Sequence, residues 1–184
     1  MHHARPILAV IAASMFAFVA PAFGHGAASR EKPKAFDSLK VEEMPFGRAG
    51  DPKKVNRTIR VGMHDTMRFV AGVAPRGDVQ PGTLPHAMPA DLVVKKGETV
   101  RFIVHNDGNV MHEVVIGTLD ELKKHAELMR KFPDMEHDEP YMAHVAPGKK
   151  GELVWQFTKA GEFHYACLVP GHMEAGMIAK ITVQ

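Results

Sequence analysis

The chain has 184 residues, 45% hydrophobic and 24% charged, with 23 Lys and Arg against 21 Asp and Glu. That length suits one domain with extensions and a real core. The near-balanced charge excludes nucleic-acid binding by bulk electrostatics, and the composition is too mixed for a disordered chain.

Residues 1–24 have the layout of a secretory signal. Met1 to Arg5 forms a short n-region, Pro6 to Ala22 carries no charge, and Ala22 and Gly24 put small residues where a signal peptidase reads. Export, to the periplasm, is therefore expected, with a mature chain beginning at His25. No later apolar run approaches ~20 residues, so no stable membrane span is expected in that mature chain. The chain has one cysteine, which excludes an internal disulfide framework, beside 12 His and 12 Met. An exported lone thiol is liable to oxidation unless protected or used, so Cys167 calls for a role.

Residues 25–57 are polar, contain Pro33, Pro45 and Pro52, and show no sustained period. They read as a flexible N-terminal arm preceding a domain over 58–184. Thr58 to Met63 alternates as a strand does, and Met67 to Val73 continues the pairing. The segment from Ala74 to Pro89, with Pro75, Pro81, Pro85 and Pro89, reads as a loop. Leu92 to Val94 and Thr99 to Asn106 are predicted strands joined by a turn at Lys95-Lys96-Gly97-Glu98, and Glu113 to Ile116 is a further short one. Thr118-Leu119-Asp120-Glu121 is a capping box, and Leu122, Ala126 and Met129 follow at helical spacing, predicting a helix over Leu119 to Lys131. Phe132 to Pro147 reads as irregular. Glu152 to Phe157, Gly161 to Cys167 and Met177 to Val183 close the chain as strands. The sum is an all-β fold, a Greek-key sandwich or barrel of seven or eight strands with one inserted helix.

Chemistry concentrates in the segment from Phe163 to Met177. A strand with Phe163, Tyr165 and Cys167 on its inner face delivers a thiol to one end of the sandwich. The Pro170-Gly171 turn brings His172 back, and Met177 opens the last strand. Upstream, Met111-His112-Glu113 offers a second imidazole at a strand end, with His105 as its rival. Met173 is likewise the rival of Met177. One thiolate, two imidazoles and a thioether are the donors that favour copper in a trigonal Cys-His-His plane with weak axial sulfur. Copper would also hold the cysteine as thiolate.

On these residues the chain resembles the cupredoxins, the small blue-copper family that includes plastocyanin, azurin and auracyanin. The resemblance spans about Thr58 to Gln184 and rests on His112, on Cys-x4-His-x4-Met at Cys167, His172 and Met177, and on the terminal strand Ile178 to Val183. It implies one mononuclear copper that cycles between Cu(I) and Cu(II). By the same resemblance His112, Cys167 and His172 are equatorial ligands and Met177 is axial. Many family members carry Asn after the first histidine, where its amide ties the ligand loops. Glu113 stands there instead, and an ionised carboxylate is not expected to replace that amide.

Two roles compete. A one-electron carrier would dock redox partner proteins through an apolar patch around His172. A copper-sequestering or copper-delivering protein in copper tolerance would use the additional His and Met residues, in groups at Met63, His64 and Met67; at His86 and Met88; and at Met135, His137, Met142 and His144. The last group is the best candidate for a second metal. Enzymatic copper chemistry is not expected, since the multicopper families use further histidines, often as His-x-His pairs, and none occurs.

Overall fold

A computed structural model describes residues 36–37, 40–73, 90–133 and 137–184. The expected signal segment, the Ala74 to Pro89 loop, His86, Met88 and Met135 lie outside the described residues. In chain order the strands are β1 (Glu43–Met44), β2 (Gly47–Ala49), β3 (Arg57–His64), β4 (Arg68–Val73), β5 (Leu92–Val94), β6 (Thr99–Asn106) and β7 (His112–Gly117). Helix α1 (Leu119–Lys131) follows, then β8 (Met142–Val145), β9 (Lys150–Gln156), β10 (Gly161–Ala166) and β11 (Ile178–Val183).

Strand alternation decides the layering. Along β6, Val100, Phe102 and Val104 are fully buried while Arg101, Ile103 and His105 between them are not. Period-2 side chains of this kind put one face of each strand against a core. Two sheets result, ordered β1-β2-β9-β6-β3-β4 and β5-β11-β10-β7-β8. Between them lie Ile59, Val61, Phe102, Trp155, Tyr165 and Ile181. Each large side chain fully buried in this way contributes about 1.5–3 kcal/mol.

The helix forms where its sequence signals place it. Glu121 donates its N–H to the Thr118 hydroxyl and its carboxylate accepts the Thr118 N–H, at 3.3 and 3.0 Å. That reciprocal cap satisfies two donors that the first turn would otherwise leave unpaired. Leu122, Ala126 and Met129 then pack on Val115, Met142, Ala166 and Leu168. A second, smaller core therefore covers the outer face of β7 and β10, and every residue of β7 is buried.

Three strands depart from the sequence reading. β1 and β2 lie in the stretch expected to be a flexible arm, and β8 lies in the stretch expected to be irregular. β2 pairs with β9, Phe46 stacks on Trp155 at 5.2 Å, and the Trp155 indole donates to the Phe46 carbonyl. The arm reading is thus corrected for residues 43–49, which complete a sheet edge. β8 pairs with β7 through His112↔Val145 and Val115↔Met142. All three are too short to show a period and exist because a longer strand offers its edge. Among the described residues the strands number eleven rather than seven or eight. No described helix is long and apolar enough to cross a membrane.

Candidate metal centre

Cys167 directly follows β10, on the inward register of Phe163 and Tyr165, and is fully buried. The eleven residues from Cys167 to Met177 are stapled by their own backbone. His172 donates to the Val169 carbonyl and Ala175 to that of Gly171, each at 3.0 Å. Met177 donates to His172 and its carbonyl accepts the Cys167 N–H, again at 3.0 Å each. Gly171 and Gly176 have φ of +89° and +101°, left-handed values that side-chain-bearing residues rarely adopt. A Cβ at 176 would also press on the Arg68 guanidinium, which donates to the Ala175 carbonyl at 2.9 Å.

This loop sets the His172 Nδ1 3.2 Å from the Cys167 sulfur, and His112, opening β7, brings its own Nδ1 to 3.9 Å. One ligand atom from each of the three residues lies within 4.8 Å of the others. With metal–sulfur and metal–nitrogen bonds of about 2.3 and 2.0 Å, sulfur and nitrogen on one trigonal ion stand about 3.7 Å apart. The observed separations bracket that value, so the donor set fits a copper ion. Met177 is fully buried in the same core cluster as Cys167. Of the rivals, His105 lies on the outward register of β6 and pairs with Asp107 at 2.5 Å, away from Cys167. Met173 packs against the smaller core beneath the helix.

Burial keeps the Cys167 and His172 donors uncharged in the absence of a metal. Burial pushes the Cys167 thiol up to about 12, although the Glu113 and Val169 N–H groups favour the thiolate. Burial and the nearby His112 ring lower His172, keeping its imidazole neutral and able to donate a lone pair. A thiol this reluctant to ionise gives up its proton when a metal takes its place, so binding at neutral pH releases protons.

Two residues that hold the site escaped sequence reasoning. Asp65, in the β3–β4 turn, accepts the His112 Nε2–H at 3.1 Å and the Asn109 N–H at 2.8 Å. Its carboxyl is held down near 2, chiefly by the Asn109 backbone N–H. That contact puts the His112 proton on Nε2 and leaves Nδ1 free to face the sulfur, the usual carboxylate–imidazole–metal relay. Asn106, fully buried at the end of β6, donates to the carbonyls of Val110 and Val145 at 2.8 Å and accepts the Gly108 N–H at 2.9 Å. It folds the turn that delivers His112. A polar residue on the inward register of an apolar strand was the available signal.

Glu113 reverses an expectation. Its carboxylate does tie the ligand segments: one oxygen accepts the N–H of Leu168, next to Cys167, at 2.8 Å. The other meets the His144 Nδ1 at 2.8 Å, and the Glu113 N–H itself points at the Cys167 sulfur at 3.4 Å. An acceptor suffices because the group it must reach is a backbone donor. A buried carboxylate also requires a partner of opposite charge, and His144 supplies it.

Comparison with known proteins gives a consistent picture. The profile of copper binding proteins of the plastocyanin/azurin family matches residues 78–184. The copper-resistant cuproprotein CopI of Rubrivivax gelatinosus is 45% identical over 98% of this chain and 96% of its own length. That of Pseudomonas aeruginosa is 34% identical over 52% of this chain and 69% of its own. Among solved structures, dithionite-reduced auracyanin from Roseiflexus castenholzii superposes with a TM-score of 0.51 at 18% identity, over 71% of this chain and 98% of that one. Auracyanin B gives 0.52 at 21%, over 71% and 90%. At such identities these two structures speak for the fold.

Proposed function

Since the chain belongs to the plastocyanin/azurin family of copper-binding proteins, we propose that it is an exported, non-enzymatic cupredoxin holding one copper ion through His112, Cys167 and His172, with Met177 as the axial ligand. The observation that carries this reading is the meeting of one buried sulfur and two imidazole nitrogens within 4.8 Å. Copper bound there supplies one-electron chemistry between Cu(I) and Cu(II). The protein's part is to hold one donor geometry through both states. Asp65 fixes the His112 tautomer, Asn106 fixes the turn before it, and Glu113 clamps the backbone beside the sulfur. None of these groups has to move when charge changes. A site that does not reorganise accepts and releases an electron quickly.

The physiological role we infer is copper tolerance outside the cytoplasm. Its support is the near-full-length similarity to a relative named for copper resistance. In this role the partners are copper-handling proteins. A deletion strain is expected to grow normally without added copper and to fail at copper concentrations the parent survives. Equal survival of parent and deletion strain overturns the tolerance role while leaving the copper site standing.

The second reading is a one-electron carrier for redox partner proteins. It is favoured by Val110 and Met111, large apolar side chains left exposed beside His112. If that patch is a docking surface, Met111→Lys slows electron exchange with a partner without altering the visible spectrum. An unchanged exchange rate counts against it. For the ligand set itself, an intense thiolate-to-copper band with reversible one-electron reduction is expected from the loaded protein, and neither is expected after Cys167→Ser.

A further inference from the structure

A second group of histidines gathers on the other side of Glu113, beneath the helix. His125 comes from α1, His137 from the segment leading to β8, and His144 from β8 itself. The Nε2 atoms of His125 and His137 face each other at 2.7 Å. The ring of His137 also lies over that of His144, with centroids 5.5 Å apart and an interplanar angle of 28°. His144 is oriented by Glu113, which takes its Nδ1 at 2.8 Å and leaves Nε2 directed toward the His137 carbonyl at 3.2 Å.

A facing pair of imidazole nitrogens is stable only if a single proton lies between them. The His137 Nδ1 is buried with no hydrogen-bond partner among the described residues, so this ring is not otherwise committed. Burial and the neighbouring His137 also lower His125, keeping it a neutral donor of a lone pair. The two nitrogens would stand about 3.3 Å apart on one tetrahedral ion with bonds of about 2.0 Å. The pair must open by roughly that difference, with His125 on a helix flank and His137 in a connecting segment, and His144 must turn toward it. His144, its Nδ1 held by a carboxylate, offers Nε2 to a metal once that nitrogen gives up its proton and turns from the His137 carbonyl.

We propose that His125, His137 and His144 form a second metal site, separate from the Cys167 centre, that takes a divalent transition ion through imidazole nitrogen, Cu(II) binding most tightly. Imidazole donors without thiolate suit Cu(II), and the general affinity order of divalent ions places copper first. Of the methionines that sequence grouped with these histidines, Met142 is buried in the small core and does not take part.

The test uses the untagged full-length protein with its first centre loaded, monitored by its charge-transfer band. Cu(II) is then titrated, with bound metal counted and electron paramagnetic resonance recorded. Wild-type protein is expected to take up a further Cu(II) with a nitrogen-coordinated signal and no added charge-transfer intensity. His125→Gln and His137→Gln, each made singly, are expected to bind one equivalent fewer while the band of the first centre keeps its intensity. That retained band establishes folding, and His137→Gln, outside any helix or strand, serves if the helix variant does not fold. Wild-type protein that takes no further ion, or variants that bind as many as wild type, overturn the proposal. A missing charge-transfer band in wild type would instead count against the Cys167 centre, so the two failures are distinguishable.

Discussion

The two sides of the copper centre are built differently. Cys167, His172 and Met177 sit within one short loop whose hydrogen bonds are almost all internal, with turns set by Gly171 and Gly176. His112 has no such local frame. Its position depends on Asp65 from the β3–β4 turn, Asn106 from the end of β6, and the pairing of β7 with β8 and β10. One side is a local motif and the other a product of packing. Mutations should therefore act on chemistry at the first and on positioning at the second.

The largest effect is expected from Cys167→Ser, which removes the soft donor and with it the visible band and the reversible reduction. Persistence of either would refute the ligand assignment and erase the contrast. Glu113→Ala comes next. It strands the Leu168 N–H and leaves His144 without its carboxylate, and losing one member of a buried pair costs about 3 kcal/mol. A lowered melting temperature in the metal-free protein is the readout, with Glu113→Gln recovering part of it because the amide oxygen still accepts from Leu168.

Asn106→Ala should cost about 2 kcal/mol, the range for leaving buried backbone groups unpaired. Copper binding should weaken with it, as the turn before His112 loosens. Asp65→Asn is expected to lower Cu(II) affinity by about tenfold, the lower end for losing a carboxylate behind a metal-bound imidazole. It should barely affect melting, which separates positioning from stability. An affinity equal to wild type would show that packing alone holds His112.

The smallest effect is in pH. The Glu113 hydrogen bond raises His144 above its ordinary value near 6.5. Its contribution is fully present below that value and is lost as pH rises through the higher folded pKa. The stability difference between wild type and Glu113→Gln should therefore shrink from pH 6 toward pH 8. A difference that grows over this window would mean His144 is not the cation that Glu113 holds.

The same contrast explains what could be read from residues alone. The helix matched its expected bounds because a capping box and a 3.6-residue period act within a few residues. β3, β6, β10 and β11 matched closely because alternation is also local. The loop motif of Cys167, His172 and Met177 was visible for the same reason. β1, β2 and β8 were not, being too short for a period. His125 carried only a weak sign, lying three positions after Leu122 on the edge of the helix's buried face.

Sequence by itself determined which residues face inward, where the helix begins and ends, and which loop presents sulfur beside an imidazole. Those are consequences of backbone geometry and turn chemistry over short spans. Only the tertiary structure decided that His112 rather than His105 faces Cys167, that Glu113 bridges Leu168 and His144, and that three histidines from separate segments meet beneath α1. Each of these depends on which strand lies beside which, and strand partnership is settled by burial across the whole fold.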